Sequence, residues 1–191
     1  MNDNTDSTGG RRVVWGSPLP SRLHRAFTTW PSWRGWRDVA LITLVFAALA
    51  VPIGLSGGLL TVRNADVSVW GALAVVGRTL FTPSLFEETV FRVMLFPHPA
   101  EDRSRRHRLV VFAVALGIFV VWHVINAWLI TPAARPVFYD PIFLIDAGLL
   151  GAACLLAYWR TGSVWAPVAV HWVAVVGWQL GLGGIALLER L

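Results

Sequence analysis

Five apolar runs, Val39 to Leu60, Val67 to Phe96, Leu109 to Ile130, Ile142 to Trp159 and Val164 to Leu188, fill most of this 191-residue chain. Each is about as long as the roughly 20 residues a helix needs to cross hydrocarbon. Within a bilayer every backbone N–H and C=O must be satisfied inside the chain, which leaves helices or closed barrels, and runs of this length select helices. The expected fold is therefore all-α: a polytopic transmembrane helix bundle of about five to six spans, five if Val67 to Phe96 is one helix and six if it is two. Thr82-Pro83-Ser84 in the middle of that run leaves both possibilities open. Composition agrees, with 55% of residues hydrophobic, 14% charged and 11 tryptophans.

The net charge of +5 comes from arginine alone, since the chain has no lysine. The arginines cluster in 11–37 and 103–108, beside apolar runs and not along one extended face, which argues for membrane flanks and against nucleic-acid binding. Short arginine-rich loops orient to the cytoplasm, so the amino terminus and the Pro97 to Arg108 loop are both expected there, in a cell membrane. A lysine-free, arginine-rich chain also fits a high-GC bacterial source. Residues 1–21 are polar, carry Gly9-Gly10 and two prolines, and read as a disordered tail. From Arg22 to Arg37, arginines alternate with Trp30, Trp33 and Trp36; Pro31 interrupts them, and simple flanking sequence is favoured over an interfacial helix. The chain thus divides into residues 1–37, a cytoplasmic tail and membrane flank, and 38–191, the bundle. The single cysteine, Cys154, excludes an internal disulfide and reads as a small packing residue.

Charge inside the apolar runs is the functional signal, because an ionisable group at membrane depth costs roughly 2.5 to 3.5 kcal/mol. Glu87, Glu88 and Arg92 stand together within the second run. On a helix Glu88 and Arg92 are one turn apart in the acid-then-base order that pairs well, which leaves Glu87 free to act as a general base. A structural reading stands beside this one: Ser84-Leu85-Phe86-Glu87 fits a capping box, in which Glu87 only reaches back to the amide of a helix start. His123 and Asn126 lie three apart on the third run, hence on one face, and His171 lies on the last. A glutamate and a histidine sharing one water can strip its proton, while a further donor steadies an oxyanion, and that combination is hydrolytic.

These residues resemble the CAAX prenyl endopeptidase and bacteriocin-processing family of glutamate-type intramembrane proteases. The family's first motif, two glutamates, three residues and an arginine, is similar to Glu87-Glu88-Thr89-Val90-Phe91-Arg92, and its second, a phenylalanine followed four residues on by histidine, to Phe119 through His123. Its third has a histidine and an asparagine four residues later. Here Thr161-Gly162-Ser163 leads to His171, but position 175 is Val175. The resemblance covers about 81–178. It implies an intramembrane endopeptidase acting on a peptide or membrane-protein substrate without a cofactor or metal. In it Glu87 and His123 activate water, His171 stabilises the oxyanion, and Glu88 and Arg92 hold the site together. Asn126 or Gln179 are the candidates to replace the missing asparagine.

Three other readings remain at this stage. A catalytically silent scaffold of the same fold would keep the polar network for structure alone. A metal-dependent protease would use Glu87, His123 and His171 as ligands, although no HExxH spacing supports it. A transporter would need inverted repeats and paired broken helices, and one break is visible.

Overall fold

The computed structural model describes residues 18–189. The expected disorder of the first residues therefore lies, for 1–17, outside the described residues. The described chain is helical throughout, apart from loops and one isolated bridge between Arg63 and Leu182.

Helix α1, Leu19–Thr28, corrects the reading of this region as tail and plain flank. Pro20 falls in its first turn, where the missing N–H costs nothing, so the prolines start a helix here and do not prevent one. After Pro31, the Ser32 hydroxyl accepts the Gly35 N–H and starts α2, Trp33–Ser56. That cap extends the first span into the Arg/Trp segment, ahead of the expected start at Val39. Helix α3, Val69–Met94, begins at the Ser68 cap and runs through the whole second apolar segment. A kink divides it into two helical halves: Thr82 leaves helical geometry (φ −133°, ψ 115°) just before Pro83. Wide π-type turns at Leu80–Leu85 and Thr89–Met94 flank the two glutamates. Such turns are frequent at functional sites.

Helix α4, Arg105–Leu129, is capped by Ser104, and α5, Pro141–Thr161, by Asp140 with Pro141 in its first turn. The last apolar run is not one span. It divides into α6, Trp165–Gly181, and a short α7, Gly184–Leu188, because Gly183 takes a left-handed conformation (φ 80°). Among the described residues four helices, α2 to α5, are long and apolar enough to cross a membrane. With the 17-residue α6 at the short end of what can span, the bundle fits the expected five to six crossings.

Helix α5 is central, packed against α2, α4 and α6. Its Gly151 lets α4 approach closely: a Cβ there would stand 2.8 Å from side-chain carbons of both Leu116 and Phe119. Leu155 and Tyr158 join Val93 of α3, Phe96 just after it, Ala115 of α4, Val164 and Val168 near α6, and Ala26 of α1 in one core cluster. Outward faces carry large apolar side chains instead, among them Leu41, Leu44 and Val45 on α2 and Val110, Val114 and Val121 on α4. Their partner is lipid.

One end of the bundle is tied by polar contacts. Arg22 of α1 pairs bidentately with the fully buried Glu101 carboxylate (2.9 and 3.2 Å). Arg108 donates to the Pro99 and Glu101 carbonyls (3.1 and 2.6 Å), and Arg160 pairs with Asp38. The α1 helix and the 95–104 loop therefore share one end, as the arginine distribution anticipates. The arginine bias predicts a cytoplasmic position for that end. A cysteine at Ser104 is then expected to react with an impermeant thiol reagent only after cells are opened, and labelling of intact cells would reverse the orientation. Cys154 is fully buried and stays silent in that assay.

His98, in the same loop, makes this end sensitive to acid. Its Nδ1 accepts the Ala100 N–H (3.1 Å), so the proton sits on Nε2, which donates to the Gly162 carbonyl (3.1 Å). Gly162 is held left-handed (φ 67°), and a Cβ there would stand 2.9 Å from His98 Nε2, so both conformation and space require glycine. Burial lowers the His98 pKa below its ordinary 6.5, with Arg25 and Arg22 pushing the same way and the Gly162 bond and Glu101 opposing. A depressed folded-state pKa means that the neutral form supplies stability, fully present above 6.5 and lost as pH falls through the folded value. The unfolding midpoint in detergent is expected to be flat above pH 6.5 and to fall below it, with a shallower fall in His98→Gln. Equal slopes would remove His98 from the account.

Candidate active site

Glu87 and Glu88 are adjacent on α3 yet enter different environments. Glu88 is fully buried and doubly engaged: Arg92 Nε lies 2.8 Å from Oε2, as an ion pair more than an aligned hydrogen bond, and His171 Nδ1 lies 2.6 Å from Oε1. The expected pairing one turn apart is present, and α6 adds a histidine to it. Arg92 Nη2 donates to the Gly151 carbonyl of α5 (3.3 Å), and its guanidinium stacks 4.1 Å from the centre of the Phe119 ring. A single pair on α3 thereby fixes α3, α4, α5 and α6 against one another.

Glu87 is 7% exposed and accepts one hydrogen bond, from the Trp122 indole N–H to Oε1 (3.3 Å). Its Oε2 has no partner. The capping-box alternative fails here: the Ser84 hydroxyl is buried and unbonded, and the helix break falls at Thr82. Glu87 does not reach back to cap anything.

His123 stands one turn beyond Phe119 on α4. Its Nδ1 lies 2.9 Å from the Phe119 carbonyl, which can only accept, so the proton is on Nδ1 and Nε2 keeps its lone pair. Phe119 is the shelf between the histidines, with ring centres 4.9 Å from His123 and 6.3 Å from His171, each edge to face. Phe91 packs against both Phe119 and Trp122 and closes the α3 to α4 seam. Glu87 through Trp122, Glu88 through His171, and both histidines through Phe119 thus form one connected group.

Two residues expected near this group are elsewhere. The Asn126 side-chain oxygen accepts from the Thr131 hydroxyl (2.7 Å) and helps end α4. Gln179 is buried, and its oxygen faces Arg78 (3.5 Å), two turns past His171. No side-chain amide among the described residues bonds within the Glu87 to His171 group. The metal reading changes as well. Among the described residues the cluster close enough to hold an ion is Glu88, Cys154 and His171, all within 4.8 Å, and not Glu87, His123 and His171. A cation there would displace the proton between His171 and Glu88 and face the Arg92 guanidinium, so the Arg92 ion pair opposes it.

Sequence reasoning missed the partners that are distant along the chain: Trp122 for Glu87, Gly151 for Arg92, and the approach of Cys154. Phe119 and Trp122 lie inside the quoted motif, but nothing local states what they touch. The type II CAAX prenyl endopeptidase Rce1-like family matches residues 69–176, more than half the chain and every residue of this group. The chain belongs to that family. No curated protein and no solved structure matches it. As an Rce1-like protein it is a multi-pass membrane hydrolase, an endopeptidase of the CAAX type, and its substrate class is a peptide or membrane protein. The matched segment begins at α3 and ends within α6, so α1 and α2 lie outside it.

Proposed function

We propose that Glu87 is the general base of a metal-independent intramembrane endopeptidase. The observation that carries this reading is the asymmetry of the two adjacent acids: Glu88 is ion-paired with Arg92 and bonded to His171, while Glu87 lies in no ion pair among the described residues and keeps Oε2 open within the group. A water held between Glu87 Oε2 and His123 Nε2 gives its proton to the carboxylate as its oxygen attacks the scissile carbonyl carbon. The oxyanion that forms is met by His171 in its imidazolium form, whose Nδ1–H is held by Glu88 and whose Nε2–H is turned to substrate. Collapse of that intermediate breaks the C–N bond, and Glu87 returns the proton to the departing amine. The new carboxyl group and the free amine account for all atoms of water and peptide.

A second reading, a silent member that binds or scaffolds membrane proteins, is favoured by Val175 and by the engagement of Asn126 and Gln179 elsewhere. One assay decides between them. The purified chain in lipid nanodiscs is offered internally quenched peptides, with and without a prenylated cysteine near the carboxyl end, before and after EDTA. Cleavage unchanged by the chelator is expected. Failure to cleave any peptide would favour the scaffold, and loss of cleavage in EDTA would return the reading to a metal.

A further inference from the structure

Helix α1 and the turn into α2 lie outside the matched family segment, yet they hold the ends of two site helices. Arg22 Nη1 donates to the carbonyl of Met94, the last residue of α3, six residues past Glu88. The Val164 N–H donates to the Ala26 carbonyl, and the Trp165 indole N–H to the Phe27 carbonyl, at the start of α6, six residues before His171. At ten residues α1 is far too short to span, and Ala26 is fully buried against the bundle. The opposite side is open. Trp30 is 67% and Trp33 82% exposed, beside the exposed Arg34 and Arg37.

That surface has the chemistry of an anionic headgroup layer. Indole rings are amphipathic and settle at the membrane interface, where Trp30 is itself braced edge to face by Trp36 (5.6 Å). Arg34 makes no ion pair among the described residues, and Arg37 has only a 3.8 Å approach to Asp38, whose carboxylate Arg160 already holds at 2.6 Å. The positive charge is therefore uncompensated. A water-exposed role would leave two large indoles solvated, and a neutral lipid surface would leave the arginines without counter-charge.

We propose that this rim, Trp30, Trp33, Arg34 and Arg37, docks on anionic phospholipid headgroups of the bilayer and thereby holds α1 against the ends of α3 and α6. The proposal does not depend on the peptidase reading. Its consequence is that lipid charge, read at a surface that holds none of the site residues, sets how firmly the two site helices are held.

The test measures association of spin-labelled phosphatidylglycerol and phosphatidylcholine with the full chain in mixed micelles. The wild-type protein is expected to prefer phosphatidylglycerol, with a preference that shrinks as salt rises. Each arginine near the surface is worth about fivefold, so Arg34→Gln/Arg37→Gln is expected to reduce the preference by about 25-fold at most, while its melting point in phosphatidylcholine stays unchanged. Amide exchange over α1 should be slower in phosphatidylglycerol than in phosphatidylcholine for the wild type, and equal in the two lipids for the double variant. Equal association of both lipids with the wild type, a preference indifferent to salt, or a double variant that keeps the full preference would each overturn the proposal. Displacement of the labelled lipid by soluble glycerol phosphate would also overturn it, in favour of a site for free phosphate.

Discussion

Glu87→Gln is expected to lose cleavage by about 100- to 10,000-fold, the contribution typical of a positioned general base, while the protein folds and melts as the wild type does. Glutamine keeps the shape of the side chain, and its amide oxygen can still accept the Trp122 N–H that Glu87 Oε1 accepts at 3.3 Å. What it cannot do is take a proton from water. The open Oε2 is the atom in question, and in glutamine it is replaced by an amide donor. Single-turnover cleavage of the quenched peptide gives the rate, and a thermal melt in the same nanodiscs gives the fold. A Glu87→Gln protein that cleaves at the wild-type rate would move the base elsewhere and leave Glu87 as a partner of Trp122 only. A protein that neither cleaves nor folds would place Glu87 among the structural residues, a result that its single 3.3 Å bond does not anticipate.

The separation of the two acids was only half legible in the chain. Glu88 with Arg92 is a local relation, one helical turn, and pattern alone yields it. That Glu88 also meets His171 depends on how α6 packs against α3, 83 residues away, and no local spacing encodes that. The same holds for Trp122 on Glu87 and Gly151 on Arg92. Local signals also misled. Ser84 through Glu87 carries a capping signature, but a buried serine just after a helix break has the same sequence as a serine that caps. The prolines at 18 and 20 read as tail punctuation, whereas the first turn of a helix accepts proline without loss. At the other end hydropathy alone made Val164 to Leu188 one span, because a left-handed glycine at 183 changes direction without changing hydrophobicity. The matched family segment covers what spacing could find and stops short of α1, where spacing failed.

Arg92→Ala is expected to cost the fold about 3 to 5 kcal/mol, the loss typical when one member of a buried ion pair is removed. Arg92 and Glu88 have no exposed side-chain surface, so water cannot replace the missing partner. The alanine would strand Glu88 with His171 alone, empty the space over the Phe119 ring and leave the Gly151 carbonyl without its donor. Glu88→Gln should destabilise to a similar degree from the other side, since it leaves a guanidinium unpaired in the core. The double variant Glu88→Gln/Arg92→Met separates charge from shape: with no buried charge left to strand, it is expected to be more stable than either single variant, a coupling of the sign that interacting neighbours give. His171→Ala, which leaves the Glu88 to Arg92 pair in place, should cost less than any variant that breaks it. Reversible unfolding in mixed micelles ranks the four. If Arg92→Ala melts within about 1 kcal/mol of the wild type, the pair does not hold α3, α4, α5 and α6 together, and the open oxygen of Glu87 loses the frame that positions it. If instead the double variant is the least stable, the interaction is worth more than its desolvation, and the pair is a net source of stability as well as the frame of the site.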